Sequence, residues 1–148
     1  MKNIHSVKKI SFAMLVLVTV MSFALKDKKE TEGIQFFKGT LKEAKAKAKK
    51  ENKLIFIDCF TTWCGPCKNM TKKVFVKKEV GDYYNKNFVC LKLDMEAAEG
   101  ETVANKYTIE AYPTYLFIND AGNLIHKDLG YLDPESFIEL GKNALAKK

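Results

Sequence analysis

Two cysteines and one acid are the residues with the clearest potential for chemistry. Cys64 and Cys67 flank a Gly-Pro dipeptide, and Asp58 precedes Cys64 by six residues within an apolar run. Two cysteines at this spacing can bind a metal, cross-link a small fold or exchange disulfides. The neighbouring residues and elements favour one of these possibilities over the others.

A metal site is the less favoured interpretation. Zinc usually needs about four ligands. Cys59 and Cys90 do not form a second close pair, and His126 is the only histidine after the N-terminal segment. Covalent haem attachment is excluded because Lys68, and not histidine, follows Cys67. We therefore expect no metal and no cofactor.

A purely structural disulfide is also disfavoured, because a disulfide that closes so short a loop would constrain the unfolded chain very little.

The expected position of the pair in the fold favours reactivity. Residues 54–60 are apolar on both parities, which is typical of a strand covered on both faces. If a helix begins at the cysteines, Cys64 lies at its N-terminus, where the helix dipole stabilises a thiolate. Cys67 is then one turn inward and can resolve a mixed disulfide. Pro66 suits the first turn because no N–H is needed there.

The remaining pattern predicts an α/β domain with helices on both faces of a mixed sheet. Thr40 and Glu43 have capping-box spacing, and Asp133 with Pro134 should open a final helix. Strands connected by helices are expected to be parallel, and a turn at 121–123 should join the last two strands as an antiparallel hairpin. The predicted strands are 33–38, 54–60, 88–94, 114–120 and 124–130, and the predicted helices include 41–51 and 99–107.

Over about residues 33–147 the sequence resembles the thioredoxin family. The stretch Trp63–Lys68, WCGPCK, is the redox motif of that family, and Asp58 matches its buried acid. Pro113 within AYPT matches the cis-proline, and Gly130 matches the glycine in the loop that faces the active site. The resemblance implies a thioredoxin fold and a redox-active Cys64–Cys67 disulfide.

The resemblance also implies a role for the buried acid. Burial should raise the pKa of Asp58, so that it can take a proton from Cys67, through water in the family's mechanism, as that thiol attacks. The alternative is a structural acid whose oxygens are satisfied by nearby donors.

The same resemblance implies a surface for binding substrate. The Tyr112 backbone beside a cis Pro113 could pair with a substrate chain, and Gly65, Pro66 and Gly130 would border the site. Trp63 is either a substrate contact or a residue that packs beside the loop.

Two departures from the family pattern are expected. Counting back from Asp94 places Cys90 where many thioredoxins carry a lysine near the buried acid. The helix after Cys67 has Lys72 in place of the family's kinking proline, and 74–88 predicts a break and a new helix. Cys59 and Cys90 are interpreted as buried side chains on opposite faces of the sheet, so they should remain free thiols.

The N-terminal residues predict export. Lys2, Lys8 and Lys9 precede an apolar run that ends near a small-residue cleavage site at Ala24. This pattern predicts a signal peptide at 1–24, with an uncleaved anchor as the alternative, followed by a flexible linker at 25–32 and one domain at 33–148. Both alternatives place the domain outside the cytoplasm, as in a bacterial periplasm or envelope.

Composition narrows the range of partners. The formal charge is +7, yet every basic residue is lysine, and the lysines alternate with acids. Proteins that read nucleic acid depend on arginine, so we expect no nucleic-acid partner. The favoured function is a monomeric thiol-disulfide oxidoreductase that reduces client proteins and receives electrons from a donor protein, for which a membrane-embedded protein is one candidate. The alternatives are an isomerase or oxidase, and a redox-inert binding module.

Overall fold

A computed structural model describes residues 32–148. The predicted signal peptide at 1–24 and nearly all of the linker at 25–32 lie outside the described residues. Within residues 32–148, no helix has both the length and the apolar character needed to cross a membrane.

Five α-helices and four strands form the described part of the chain. The helices are α1 (Leu41–Glu51), α2 (Gly65–Asn69), α3 (Lys78–Asn87), α4 (Ala98–Tyr107) and α5 (Pro134–Leu145). The strands are β1 (Leu54–Phe60), β2 (Phe88–Asp94), β3 (Thr114–Ile118) and β4 (Leu124–Leu129). The predicted bounds of α1, β1 and β2 agree with the structure.

The strands form one mixed sheet in the order β2-β1-β3-β4. β1 is parallel to β2 and antiparallel to β3, and β3 and β4 form the predicted hairpin. In the parallel pair, Leu54 lies opposite Phe88, and this register continues to Phe60 opposite Asp94. These pairings confirm the predicted α/β fold with a mixed sheet.

Alternate residues of each central strand point to opposite sides of the sheet, and helices cover both of its faces. One face, which we call the Asp58 face, packs against α3, α5 and the turn that follows α2. The other, the Cys59 face, packs against α1 and α4. The result is the predicted three-layer arrangement.

The predicted strand at 33–38 is wrong. The segment is not part of the sheet, and its backbone bonds are scattered: the Ile34 N–H donates to the Phe75 carbonyl at 2.7 Å and the Phe37 N–H to the Cys90 carbonyl at 2.7 Å. The aromatic, apolar composition that suggested a strand instead serves packing, since Phe36 contacts the Asp58 face and Phe37 the Cys59 face.

The predicted helix ends and the predicted break both appear. The Thr40 hydroxyl and the Glu43 carboxylate form the capping box of α1, and Asp133 caps α5 with Pro134 in its first turn. After α2 the chain continues as a π-helical turn, Met70–Val74, and α3 begins separately at Lys78.

Candidate active site

The Cys64–Cys67 pair lies at the start of α2, where β1 ends and the chain turns. Cys64 is the N-cap residue of α2, and its Sγ accepts a hydrogen bond from the Cys67 N–H at 3.1 Å. The two cysteines are joined by a disulfide. Each is 3% exposed, so burial does not distinguish attacking from resolving sulfur in this oxidised state. The expected position of Cys64 at a helix start is confirmed.

Asp58 lies within β1 and is 1% exposed. Its register partner on the parallel strand is Lys92, and the Lys92 Nζ lies 2.8 Å from the Asp58 Oδ2. No donor among residues 32–148 hydrogen-bonds to the Asp58 Oδ1. The prediction that Cys90 replaces the lysine near the buried acid is therefore wrong: Cys90 pairs with Phe56, two residues earlier in the register.

Lys92 connects the buried acid to the helix that carries the cysteines. Its ammonium donates to the Thr71 Oγ1 at 2.8 Å, and the Thr71 hydroxyl donates to the Cys67 carbonyl at 3.1 Å. The ammonium also lies 4.6 Å from the centre of the Phe60 ring. This contact helps to stabilise a cation whose side chain is only 23% exposed.

Burial raises the pKa of Asp58, and the Lys92 ammonium opposes that rise by favouring the carboxylate. The expected direction of the shift is confirmed. A carboxyl group with a raised pKa can accept and release a proton closer to neutral pH than an ordinary aspartate. The arrangement therefore places a buried carboxyl group with a raised pKa on the sheet face that packs against the turn after the cysteine-bearing helix.

A second loop lies beside the strand ends. The Tyr112–Pro113 bond is cis, as the sequence motif implied. The Gly130 N–H donates to the Pro113 carbonyl at 2.8 Å, so the loop after β4 is fixed to the cis-proline loop. Gly130 has a φ of +93°, a conformation that glycine adopts without steric cost.

Trp63 joins the cis-proline loop to the cysteine loop. It is 65% exposed, and its ring meets that of Tyr112 edge-on with the centres 5.9 Å apart. The indole N–H donates to the Glu96 Oε1 at 2.8 Å. Gly65 and Pro66 are exposed at the tip of the cysteine loop. The structure thus brings the exposed Trp63 ring and the half-buried Tyr112 ring together beside the cysteine loop.

The family model for the thioredoxin-like domain matches residues 41–145. The chain belongs to the thioredoxin-like family. Thioredoxin H-type from Oryza sativa subsp. indica is 41% identical to this thioredoxin-like protein over 76 residues, which are 50% of this chain and 56% of that relative. The chain spans about half the length of the curated relatives it matches.

Two solved structures resemble the thioredoxin-like protein. A proposed disulphide-isomerase from Bacteroides thetaiotaomicron is 43% identical, with a TM-score of 0.71, and the match covers 80% of this chain and 98% of that one. The oxidised C-terminal domain of DsbD from Neisseria meningitidis is 23% identical, with a TM-score of 0.61 and coverage of 74% and 99%. The second likeness concerns the fold alone.

The other two cysteines of the thioredoxin-like protein are free and buried, as predicted. Cys59 packs among the residues of the Cys59 face and Cys90 among those of the Asp58 face. Burial raises the pKa of both thiols, that of Cys90 to about 12. Neither thiol is therefore a reactive thiolate near neutral pH.

Sequence reasoning missed three polar residues around the thioredoxin-like site: Lys92, Thr71 and Glu96. For Lys92 a signal existed, because pairing the two predicted seven-residue strands end to end places residue 92 opposite Asp58. Thr71 and Glu96 carried no comparable signal, since their contacts depend on the π-helical turn and on the loop after β2. Within residues 32–148 no group of histidine, cysteine and acidic side chains is arranged to hold a metal ion.

Proposed function

We propose that this thioredoxin-like protein is a thiol-disulfide oxidoreductase that mainly reduces disulfides in other proteins outside the cytoplasm. One observation carries the proposal: the Cys64–Cys67 disulfide begins a helix on the sheet face that also holds the buried Asp58–Lys92 pair. The described state is then the oxidised product of one catalytic cycle.

The proposed cycle starts from the dithiol. The Cys64 thiolate attacks one sulfur of a client disulfide, which forms a mixed disulfide and releases one client thiolate. Asp58 takes the proton of Cys67, and the new thiolate attacks the Cys64 sulfur. The Cys64–Cys67 disulfide forms, and the second client thiolate leaves and is protonated. Two electrons have passed to the client, and a dithiol of the donor protein restores Cys64 and Cys67.

The exposed residues around the pair are proposed to bind the client. Trp63 offers an apolar ring, and Gly65 with Pro66 leaves the disulfide loop free of bulky side chains. The Tyr112 backbone beside Pro113 can pair with an extended client chain, as edge strands do with peptides. Gly130 keeps the neighbouring loop close to Pro113.

The direction of exchange rests on the Gly-Pro dipeptide between the cysteines. The resemblance associates this dipeptide with reducing members of the family, whereas oxidases and isomerases usually carry a histidine there. An isomerase is the second candidate, because the Bacteroides thetaiotaomicron protein described as a proposed disulphide-isomerase is 43% identical over 80% of this chain. A redox-inert binding module is the third.

The reduction potential of the Cys64–Cys67 pair tests the direction. A value near the roughly −270 mV of thioredoxin supports a reductase, and a value near the roughly −180 mV of protein disulfide isomerase supports the second candidate. Insulin reduction and refolding of scrambled ribonuclease, measured side by side, separate the two activities. A chemically reduced protein that is inactive in both assays would indicate the binding module.

The proposed location rests on residues 1–24. We propose cleavage after Ala24, which predicts a mature N-terminus at Leu25 in the envelope fraction. Uncleaved protein that stays with membranes after a high-salt wash would instead support an anchor. We further propose that the domain acts as a monomer and meets its electron donor on the same side of the membrane.

A further inference from the structure

A pocket of about 310 Å³ lies beside the resolving cysteine. Its walls include Phe60, Thr61, Cys67, Lys68, Lys72 and Lys92, and we call it the Cys67 pocket. Its surface is mostly carbon, supplied by the Phe60 ring and by side-chain stems. This volume is at the small end of the range for ligand pockets, which suits one side chain better than a cofactor.

The charges around the Cys67 pocket have one sign. Three lysines line it, and no carboxylate does. The Lys92 ammonium is already shared by Asp58 and Thr71. Lys68 and Lys72 are exposed, and neither has an ion-pair partner within residues 32–148. Two unpaired cations at an apolar pocket favour an occupant that carries a negative charge.

A buried hydroxyl gives a second, independent indication. Thr61 lines the Cys67 pocket and is 1% exposed, yet its Oγ1 has no hydrogen-bond partner among the described residues. Buried hydroxyls in proteins nearly always have such a partner. Thr61 therefore retains an unused donor in the wall of the pocket, and a rotation of its side chain would bring that donor to an acceptor seated there.

We infer that the Cys67 pocket is a specificity site for an acidic side chain of the polypeptide that exchanges its disulfide with Cys64. The inference rests on the proposed function. The methylene groups of a glutamate would pack on Phe60, and its carboxylate would lie between Lys68 and Lys72 and accept from the Thr61 hydroxyl. Because Cys67 forms one wall, the acidic residue would lie close to the client cysteine in sequence.

Disulfide-linked peptides that differ only in one residue test this inference. In such a series, glutamate or glutamine occupies each of the four positions on either side of the peptide cysteine. The full-length reduced protein is mixed with each peptide, and Trp63 fluorescence reports the rate of exchange. We expect the glutamate peptide to react about three- to tenfold faster than its glutamine partner at one or two positions, as two exposed ion pairs allow.

Two double variants locate the effect. Lys68→Gln with Lys72→Gln should bring the glutamate-to-glutamine rate ratio close to one. Lys73→Gln with Lys77→Gln removes the same charge from exposed residues outside the pocket and should preserve the ratio. Thr61→Val should lower the ratio. Thr61→Ser, which keeps the hydroxyl, should leave the ratio close to the wild-type value.

Several results would overturn the inference. One is an absence of preference for glutamate at every position in the wild-type protein. Another is an equal loss of preference in the two double variants, which would indicate general surface charge. Reaction of the glutamine peptide with the wild-type protein tests the proposed function separately: if that peptide is not reduced at all, the proposed function fails, whatever the pocket does.

Discussion

The two faces of the sheet differ in composition and in chemistry. The Asp58 face is rich in aromatic rings, and Phe56 lies at its centre within 5.0 Å of the Tyr84 ring and 5.4 Å of the Phe117 ring. The Cys59 face is mainly aliphatic, with Ile57 and Leu116 paired across the central strands. The π-helical turn that follows the cysteine-bearing helix packs on the aromatic face through Met70.

This difference shows how a largely apolar core accommodates a charged pair. Beside Asp58, the Lys92 ammonium faces the rings of Phe60, Phe36 and Phe75, with 4.6, 5.6 and 5.4 Å to their centres. Aromatic faces attract cations, whereas aliphatic side chains do not. The aromatic face can therefore hold a lysine against the buried acid, and the aliphatic face has only packing to offer.

The largest expected effect concerns which of the two cysteines attacks the client disulfide. Because Cys64 caps the helix, it should be the thiolate that attacks. Cys67→Ser should then accumulate covalent mixed disulfides with clients, and Cys64→Ser should form almost none. Non-reducing gels and mass spectrometry measure both. Equal trapping by the two variants would show that the assignment of the attacking cysteine is wrong.

The next effect concerns Asp58 as proton acceptor. Asp58→Asn should slow disulfide reduction near neutral pH by up to about 100-fold, since a general base is lost. Stopped-flow kinetics with insulin or a peptide disulfide measure this change. Asp120→Asn is a suitable control, because Asp120 is exposed and lies outside the site.

The same Asp58→Asn variant should also be more stable at neutral pH. The folded state raises the pKa of Asp58, so the stability contributed by the protonated acid is complete below its unfolded pKa of about 3.9 and is lost as the pH rises through the folded value. The gain should be on the order of 1 kcal/mol at pH 8 and absent near pH 3. Urea unfolding at both pH values measures it. A variant that is slower and less stable would favour a purely structural acid.

A smaller effect is expected from Lys92→Met, which keeps an apolar stem and removes the charge. The ammonium lowers the pKa of Asp58, so its loss should raise that pKa further and reduce the carboxylate fraction at pH 7. The rate should fall several-fold, and the pH–rate profile should move to higher pH. Lys92→Arg should restore the wild-type profile in part. An unchanged profile would mean that Lys92 does not influence the proton acceptor.

The smallest effect is expected when the two free cysteines, one on each face of the sheet, are replaced. Cys59→Ala with Cys90→Ala should leave redox activity unchanged and cost about 1–2 kcal/mol per site, because each change leaves a small cavity. Alkylation of the oxidised, denatured protein followed by mass spectrometry should show one disulfide, Cys64–Cys67. A Cys59–Cys90 peptide would contradict the assignment of these residues to opposite faces.

Much of the fold could be predicted from local patterns. The capping box at Thr40, the Asp133–Pro134 start and the doubly apolar strands give strong signals, and the structure has each of them. The 33–38 segment was mispredicted because aromatic composition alone cannot show whether a neighbouring strand offers a full set of backbone partners. The bond from the Phe37 N–H to the Cys90 carbonyl of β2 depends on tertiary packing.

The candidate site could also be predicted in part, because some of its residues belong to local sequence patterns. Cys64, Cys67 and Pro113 belong to short motifs, so sequence alone located them. The Asp58–Lys92 pair depends on strand register, and the count back from Asp94 placed the lysine position two residues too early, at Cys90. The Trp63–Glu96 bond joins two loops 33 residues apart, and no local pattern encodes that contact.

The segment at 33–38 also bears on how the protein avoids self-association. β2 is an outer strand of the sheet, and a free strand edge is a template for pairing with another chain. The Phe37 N–H occupies the Cys90 carbonyl on that edge, and Phe36 and Phe37 close over opposite sides of it. The Asn85 side chain holds the segment through the Gly33 carbonyl and the Gln35 N–H. These six residues therefore cover part of the β2 edge, and we expect a chain shortened past Phe37 to expose that edge to pairing with another chain.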